Sequence, residues 1–412
     1  ERVTTDQSFC RFLCLEHTCE VDFMQIADRL NRIPPYLFME LRNKIAKARA
    51  DGIDVIGLAI GDPVDPTPDP VIEELCEQAH KLENHRYPID EEKGMLAFRQ
   101  AVADWYAGRY SVSLDPKTEV LALIGSKEGC HHFALAVVNP GDIVLMTDPG
   151  YPAYSASILI AGGEPYHVPI KPENHYLPKF EDIPSDIARK AIAFYLNYPN
   201  NPTGAMATDE FFKELVHFAR SCDIAICYDN PYSEIVFDGE KPRSLLSTPG
   251  AKEVAVELNS LSKPFNMTGW RIGVALGNPD LVAAISKVKE NTDSGIFSPI
   301  QYAGIRAIRE CQDNIGRMLE IYRRRRQLVL DTLREIGWKN YDPPKGTFYL
   351  WIPVPGGFSS IEFTTMLFEK ASVVVASGSA YGKYGEGFIR ISLTVPDKRL
   401  AEAMERIRKA LS

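Results

Sequence analysis

The sequence lacks the features that mark membrane proteins and nucleic-acid-binding proteins. None of its apolar runs approaches the roughly 20 residues that a membrane-spanning helix needs. Its 412 residues carry a formal net charge of −9, which gives no electrostatic basis for binding nucleic acid or an anionic membrane. Internal repeats and low-complexity linkers are also missing. We therefore expect a globular, cytoplasmic protein with no nucleic-acid or membrane partner.

Cysteine is sparse and follows no metal-binding pattern. The eight cysteines include no Cys-x-x-Cys pair, and in a chain of this length they are typical of reduced, mostly buried thiols. Three of them lie before residue 20, but their spacing matches no zinc pattern, so we predict no metal site. Residues 1–22 are acidic and contain no long apolar stretch. We expect them to be an extension without a role in the chemistry.

From residue 119 onward the sequence alternates apolar strands with helical patterns. The strands are predicted at 120–124, 143–146, 191–196, 224–228, 254–258 and 272–276. The helices after residue 60 are predicted at 70–82, 95–110, 211–220, 279–289, 299–310 and about 314–336, and two more are predicted to end at residues 138 and 161. Such alternation indicates an α/β fold, in which helices cover both faces of a mainly parallel sheet.

A shorter α/β segment follows the last of these helices. Its strands are predicted at 348–352, 373–376 and 388–393. We therefore predict a large domain over residues 58–300 and a smaller α/β domain made from both chain ends, residues 23–57 and 301–412. The one dense basic run, residues 323–326, lies in the long helix, and we interpret it as a solvated helix face rather than a binding patch.

Lys263 lies on a short polar loop between two predicted buried strands. Ser260 and Ser262 can donate hydrogen bonds beside it, and Arg271 can grip phosphate oxygens with its planar guanidinium. The lysine can then form a Schiff base with a carbonyl. Pyridoxal 5′-phosphate (PLP) carries both a phosphate and an aldehyde. A lone Ser-x-Lys favours an ordinary surface lysine, so the hypothesis depends on the motifs elsewhere in the chain.

Two polar groups follow the neighbouring predicted strands. Asp229 ends a strand, where its carboxylate could hold a pyridine nitrogen protonated, although a turn or helix-cap aspartate is the simpler alternative. Tyr232 and Asn201 could both reach the oxygen of the pyridine ring. With its nitrogen protonated, such a ring accepts electrons from a carbanion. These residues would complete a site built around Lys263.

Four further residues suit PLP or an amino-acid substrate. Ser126 and Lys127 open a helix directly after a strand, where backbone N–H groups and the helix dipole attract anions. Tyr151 follows the next strand and could stack on a ring or simply pack in the core. Arg390 lies in an apolar strand and needs a partner if buried, either a substrate carboxylate or an internal salt bridge.

Together these motifs resemble those of the class I/II aminotransferases of PLP fold type I. The resemblance covers the chain from about residue 24 to its end, and it rests on Asn-Pro-Thr-Gly at 201–204, Asp229-x-x-Tyr232, Ser260-x-Ser262-Lys263 with Arg271, and Arg390. Within the family, the stretches 26–30, 34–38, 57–63, 125–129 and 293–297 are similar to bacterial LL-diaminopimelate aminotransferases.

The resemblance implies a role for each site residue. Lys263 would hold the cofactor as a Schiff base and later move the proton between the substrate Cα and the cofactor C4′, and Asp229 would pair with the pyridine nitrogen. The ring oxygen would contact Asn201 and Tyr232, the ring face Tyr151, and the phosphate Ser126, Lys127, Ser260, Ser262 and Arg271. The substrate would contact Arg390, Asn201, Gly61 and Tyr36. Family members are homodimers, and Tyr87 resembles the tyrosine that reaches the partner's cofactor phosphate.

The implied reaction is transamination between an amino acid and a 2-oxo acid, with LL-diaminopimelate and 2-oxoglutarate as substrates, in lysine biosynthesis. The loop 87–94 is longer and more acidic than usual in the family, and Glu92 is a candidate partner for the distal ammonium of the substrate. Alternatives are an aminotransferase for aspartate, alanine or aromatic amino acids, or a PLP-dependent lyase on the same fold. A non-enzymatic module is disfavoured because Lys263 and its supporting groups are all present.

Overall fold

The computed structural model describes residues 26–33, 37–87 and 93–411. Within these residues the strands are β1 Ile56–Gly57, β2 Val120–Leu123, β3 Ile143–Asp148, β4 Glu164–Pro169, β5 Ala191–Leu196, β6 Ala225–Asp229, β7 Ala255–Ser260, β8 Gly273–Gly277, β9 Tyr349–Pro353, β10 Val373–Val374, β11 Ala376–Ser377 and β12 Phe388–Ser392. The α-helices of the same residues are α1 Leu37–Ala50, α2 Asp69–Ala79, α3 Leu96–Tyr110, α4 Ser126–Val137, α5 Ala153–Ala161, α6 Ser185–Lys190, α7 Asp209–Cys222, α8 Ala251–Val254, α9 Pro279–Glu290, α10 Ser298–Glu310, α11 Gln312–Glu335, α12 Ser360–Ala371 and α13 Asp397–Leu411.

Seven strands form the central sheet, in the order β2-β8-β7-β6-β5-β3-β4. Only β8 runs antiparallel to its neighbours β2 and β7. Strand β5 is apolar at every position because both faces of the sheet are covered. Phe194 packs into the core cluster on one face and Tyr195 into the cluster on the other, as the two-residue period of a strand requires. The predicted α/β fold class is confirmed.

Helices cover both faces of this sheet. On one face α4, α5 and α9 contribute buried side chains such as Phe133, Ile158 and Ile285 to a shared core. On the other face, residues such as Phe98 of α3 and Leu215 of α7 form a second core. Burial of each such side chain stabilises the fold by about 1.5–3 kcal/mol. With both faces covered, the carboxyl ends of β2, β5, β6 and β7 share one edge, where open α/β sheets bind ligands.

A second, antiparallel sheet has the order β11-β12-β9 and packs against α11, α12 and α13. A distant part of the chain lies beside it, where β1 pairs with β10 in a separate two-stranded sheet through Ile56 and Val373. The Leu58 carbonyl also accepts a 2.7 Å hydrogen bond from the Ser392 amide. The domain boundaries given above stay a prediction, and residues 1–22 lie outside the described part of the chain.

Strand β4 has no counterpart among the sequence predictions. Among the described strands it lies at the edge of the sheet and pairs with β3 alone. Its residues are mostly part-exposed, so it carries no continuous apolar run. Strand β7 extends through Ser260, which the sequence had placed in the following loop. The predicted and observed ends of the other central strands differ by at most two residues.

The interpretation of the basic run 323–326 as a solvated face is wrong for half of the run. The first two arginines are exposed, but Arg325 and Arg326 are buried. Arg325 binds Asp65 at 2.8 Å and Arg326 binds Asp238 at 2.6 Å. The α-helical period of 3.6 residues turns consecutive side chains to different sides, so a run of four like residues cannot share one environment.

Thiols in the described residues are free, and three of them, Cys130, Cys227 and Cys311, are buried, whereas Cys76 is exposed. The three cysteines before residue 20 lie outside that part of the chain. Among the helices that the structure describes, none combines the length and the apolar character needed to cross a membrane.

Candidate active site

A cavity of about 220 Å³ opens at the carboxyl edge of the central sheet. In liquid water each molecule occupies about 30 Å³, so the cavity is large enough for a small organic molecule. Twelve of the predicted site residues line it: Gly61, Ser126, Lys127, Tyr151, Asn201, Asp229, Tyr232, Ser260, Ser262, Lys263, Arg271 and Arg390. Residues far apart in the chain therefore meet in one place.

Lys263 projects its amine into the interior from the loop between β7 and β8. Its Nζ donates a 3.0 Å hydrogen bond to the Gly61 carbonyl. Burial lowers the pKa of Lys263 to about 8, with the positive charges of Arg271 and Arg390 acting in the same direction and Asp62 opposing them. A larger fraction of the amine is therefore neutral near pH 7 than in an ordinary lysine, and the neutral amine is the nucleophile.

Asp229 is the last residue of β6 and is buried. The Tyr154 hydroxyl donates a 2.8 Å hydrogen bond to its Oδ2. Its Oδ1 has no hydrogen-bond partner among the described residues. Burial raises the pKa of Asp229 to about 6, and the hydroxyls of Tyr154 and Ser126 oppose that shift. A buried carboxylate oxygen without a partner is costly, and a ring N–H from a ligand would satisfy it.

The turn after β5 holds Asp229 and connects it to Arg390. Asn197, directly after the strand, donates a 2.6 Å bond to the Asp229 carbonyl and accepts a 2.6 Å bond from the Asn201 amide. The Asn201 side-chain oxygen in turn accepts a 2.6 Å bond from Nη1 of Arg390. One turn therefore fixes two groups on the cavity wall.

Arg390 is buried between two aromatic rings. Its guanidinium carbon lies 3.8 Å from the ring centre of Tyr349 and 4.8 Å from that of Tyr381. Its Nη2 donates to the Ala59 carbonyl. A guanidinium on aromatic faces gains cation–π attraction and keeps its plane fixed. This geometry holds a planar positive group at the edge of the cavity.

An anion-binding cup forms where α4 begins beside Arg271. Gly125 precedes the helix with φ of +87°, and a Cβ added there would lie 2.4 Å from Nη2 of Arg271. Arg271 is oriented by bonds from Nη1 to the Thr268 carbonyl at 2.9 Å and from Nη2 to the Ile124 carbonyl at 3.3 Å. A helix N-terminus beside a guanidinium is suited to a phosphate group.

The serines of β7 and its loop complete this cup. The Ser260 hydroxyl accepts a 3.1 Å bond from the Ser262 amide and donates a 3.3 Å bond to the Ile272 carbonyl. The Ser262 hydroxyl is buried and has no partner among the described residues. It is therefore available to a bound anion.

Gly61 leaves space that a side chain would fill. A Cβ at this position would lie 1.8 Å from the Tyr349 hydroxyl. That hydroxyl is 3.2 Å from the hydroxyl of Tyr232. The two tyrosines and the Gly61 carbonyl thus form the wall next to Lys263.

Among the described residues, one predicted site residue does not line the cavity. Tyr87 is 77% exposed and borders a separate surface groove with Ser294, Gly295 and Phe297. Tyr36, like the weaker candidate Glu92, lies outside the described residues.

Several residues of the site are not among those predicted from the sequence. Asn197, Thr268 and Tyr349 line the cavity. Tyr154 does not line it but donates a hydrogen bond to Asp229. Asn197 could have been found, because it directly follows a strand at the ligand-binding edge. Tyr349 comes from the second sheet, and no local pattern indicates which way that sheet faces.

The residues present fit PLP. The unpartnered Oδ1 of Asp229 suits a protonated ring nitrogen, the amine of Lys263 suits an aldehyde, and the unpartnered hydroxyl of Ser262 lies in a cup suited to phosphate. The fold and the site together define a PLP-dependent enzyme of fold type I. Residues 53–407 match the family model for aminotransferase class I and II, and the chain belongs to this family, which implies PLP as cofactor.

Relatives cover nearly the whole chain. An LL-diaminopimelate aminotransferase of Moorella thermoacetica is 51% identical over 388 residues, which are 94% of this chain and 99% of the relative. That of Halothermothrix orenii is 50% identical over 387 residues, 94% of this chain and 99% of the relative. A substrate-bound structure of BacF from Bacillus subtilis is 35% identical with a TM-score of 0.90, covering 94% of this chain and 98% of that one. The predicted family resemblance and the prediction of an aminotransferase are confirmed.

Proposed function

We propose that the protein uses PLP to transfer an amino group between LL-diaminopimelate and 2-oxoglutarate, a reaction of lysine biosynthesis. The observation that carries the transamination is the convergence of Lys263, Asp229 and Arg390 on one cavity with an anion cup. The choice of LL-diaminopimelate is supported by relatives of that name at about half identity over almost the full chain.

When bound, PLP supplies an aldehyde that condenses with amines and a ring that withdraws electrons from the substrate Cα. Asp229 would hold the proton on the ring nitrogen through a charge-assisted hydrogen bond. Its partnered oxygen is fixed by Tyr154, so the other oxygen has a defined position. Asn201 and Tyr232 would contact the ring oxygen, and Tyr151 the ring face.

Lys263 would act twice. Its partly neutral amine would hold the cofactor through the aldehyde, as the lowered pKa of the lysine favours. When not bonded to the cofactor, the same amine would be placed to take the proton from the substrate Cα and to return it. Both roles require an amine held inside the cavity rather than in solvent.

The phosphate would be held by Ser126, Lys127, Ser260, Ser262 and Arg271. Two sources of positive potential support this proposal, namely the N-terminus of α4 and the guanidinium of Arg271. The close approach of Arg271 to Gly125 lets both act on one anion.

Arg390 would bind the α-carboxylate that amino-acid and 2-oxo-acid substrates share. A planar guanidinium pairs with a carboxylate through two parallel hydrogen bonds. Its anchoring by Asn201 and two tyrosine rings fixes the direction of those bonds. Gly61 would leave room for the substrate beside Tyr349, and Tyr36 would contact the substrate.

We further propose a cytoplasmic homodimer in which Tyr87 reaches the cofactor phosphate of the partner subunit. The exposure of Tyr87, away from the cavity of its own chain, supports this arrangement. Sedimentation of the purified protein at several concentrations tests it, and a monomer at all of them would contradict it.

The substrate assignment is tested by measuring glutamate formation from 2-oxoglutarate with different amino donors. We expect kcat/KM for LL-diaminopimelate to exceed that for aspartate, alanine or phenylalanine. A higher value for one of those donors would discard LL-diaminopimelate but keep the aminotransferase. Sustained release of ammonia or pyruvate from a donor without any 2-oxo acid would instead indicate a lyase.

A further inference from the structure

Asp148, the last residue of β3, is a fully buried carboxylate that does not line the cavity. Its Oδ2 accepts hydrogen bonds from the Lys383 amide at 3.0 Å and from Nδ1 of His167 at 2.9 Å. Its Oδ1 accepts a 3.0 Å bond from the Tyr384 amide. A side chain of the central sheet therefore holds the backbone of a segment more than two hundred residues later.

That segment, residues 378–385, is shaped to receive the carboxylate. Gly382 has φ of +127°, and a Cβ on it would lie 2.2 Å from Oδ1 of Asp148. Only glycine leaves both the space and the backbone conformation for this contact. A second bond, from the Gly150 amide to the Tyr381 carbonyl at 2.8 Å, fixes the segment one residue earlier.

Tyr381 connects this segment to Arg390. The carbonyl of Tyr381 is held by the turn that follows Asp148, and its ring centre lies 4.8 Å from the guanidinium carbon of Arg390. The same ring packs edge-on against Trp351 at 5.9 Å. Tyr349 contacts the same guanidinium at 3.8 Å, so the position of Tyr381 sets how closely a second ring packs on Arg390.

We propose that Asp148 is a positioning residue for substrate binding: by holding residues 382–384 it fixes Tyr381 and thereby orients Arg390. This inference rests on the proposed role of Arg390 in binding the substrate carboxylate. Because that carboxylate is common to donor and acceptor, Asp148 affects the binding of both substrates. We expect the cofactor cup and Lys263 to keep their geometry, because the hydrogen bonds that orient Lys263, Arg271 and Ser260 go to other parts of the chain.

Two variants disturb this contact from opposite sides. Asp148→Asn places an NH₂ group where an acceptor is needed, and Gly382→Ala adds a Cβ at 2.2 Å from the carboxylate. In PLP-loaded enzyme we expect each to raise KM for LL-diaminopimelate and for 2-oxoglutarate by about tenfold, with kcat changed less than about twofold, because lost uniform binding raises KM alone. The PLP dissociation constant, measured by absorbance, should stay within about twofold of the wild-type value.

The double variant and two controls make the test specific. The two changes act on one contact, so their combination should raise KM no further than either alone. Asp142→Asn changes another aspartate that stabilises a turn, because Asp142 Oδ2 accepts a 2.7 Å hydrogen bond from the Asn139 amide. This turn is separate from residues 378–385, so the variant should leave KM unchanged. Arg390→Lys should raise KM whether or not Asp148 matters, so an unchanged KM there would contradict the role of Arg390 instead.

Several results would overturn the proposal. One is an unchanged KM in Asp148→Asn when Arg390→Lys raises it. Another is a loss of PLP affinity that parallels the rise in KM, which would indicate an effect through Tyr151. If neither variant folds, Asp148 supports the fold as a whole and its assignment as a positioning residue is wrong.

Discussion

At the scale of single residues, burial sets the acid–base behaviour of the two central groups. It acts in opposite directions, lowering the pKa of Lys263 to about 8 and raising that of Asp229 to about 6. In both cases it disfavours the charged form. The amine becomes more nucleophilic, and the carboxylate remains an anion near pH 7 that gains strongly from a cationic partner.

The pKa of Lys263 predicts how cofactor capture depends on pH. A lowered lysine pKa means that the neutral amine accumulates as the pH rises and dominates above about 8. We expect the rate at which cofactor-free protein takes up PLP to increase through this region and then level off. Stopped-flow absorbance measures that rate, and a rate that keeps rising to pH 10 would show an unperturbed lysine.

Replacing Asp229 should remove ring activation without removing the site. In Asp229→Asn, the Tyr154 hydroxyl can still donate a hydrogen bond to a side chain of similar size, but the negative charge is lost. We expect kcat to fall by at least about 10²-fold, the lower range of effects for groups that control a proton in the transition state. Steady-state kinetics at saturating PLP measures this, and a kcat within about threefold of wild type would exclude the assigned role.

At the scale of elements, the cup depends on how α4 begins. Gly125 has positive φ and lies against Arg271, so Gly125→Ala combines backbone strain with a clash at 2.4 Å. We expect PLP affinity to fall by about tenfold or more, since strain of this kind costs about 1–3 kcal/mol. Equilibrium titration of cofactor-free protein measures the dissociation constant.

Gly108→Ala is the matched control. Gly108 lies in α3 with nothing within 4 Å of an added Cβ, and alanine is the better helix former. This variant should keep the PLP affinity and increase stability slightly. Equal losses of PLP affinity in both variants would mean that the Gly125 effect is not local to the cup.

The same scale shows what the sequence could predict. Ser126, Asn201, Asp229 and Lys263 all lie at or shortly after the carboxyl ends of strands. Because these ends share an edge in parallel strands, the meeting of the four residues in one cavity followed from the alternation of elements. The tyrosines around Arg390 could not be predicted in this way. They reach it from strand β9 and from residues 378–385, and that approach depends on how two sheets pack.

Local patterns also misjudged burial where long-range partners decide it. Arg325 and Arg326 look like surface residues in a basic run, yet carboxylates from distant segments pair with them. Strand β4 was missed for the opposite reason, since it is held at the edge of the sheet by β3 and not by its own apolar content. In both cases the deciding contact is remote in sequence.

At the scale of the whole molecule, Arg325 ties three parts of the chain together. From α11 it binds Asp65 near the start and Asp397 at the beginning of α13, at 2.8 and 2.7 Å. Arg325→Met should lower the free energy of unfolding by about 2–3 kcal/mol, below the 3–5 kcal/mol for a fully buried pair because Asp397 is partly exposed.

Arg323→Met provides the comparison within the same run. Arg323 is exposed, and within the described part of the chain its ion pair is with Glu320 one turn away, an arrangement worth less than about 0.5 kcal/mol. Urea denaturation of both variants measures their free energies of unfolding. Equal losses of stability would show that the run acts by its charge and not through the buried contacts of Arg325.

The most direct test of the account is the absorbance spectrum of the PLP-loaded protein during each half of the reaction. Adding LL-diaminopimelate alone should convert the cofactor band to that of its amino form, and subsequent 2-oxoglutarate should restore it. Lys263→Ala should abolish the starting band of the covalently held cofactor. A response to another amino acid but not to LL-diaminopimelate would contradict the substrate, and a wild-type protein that takes up no PLP would contradict the assignment of Lys263 and the site built around it.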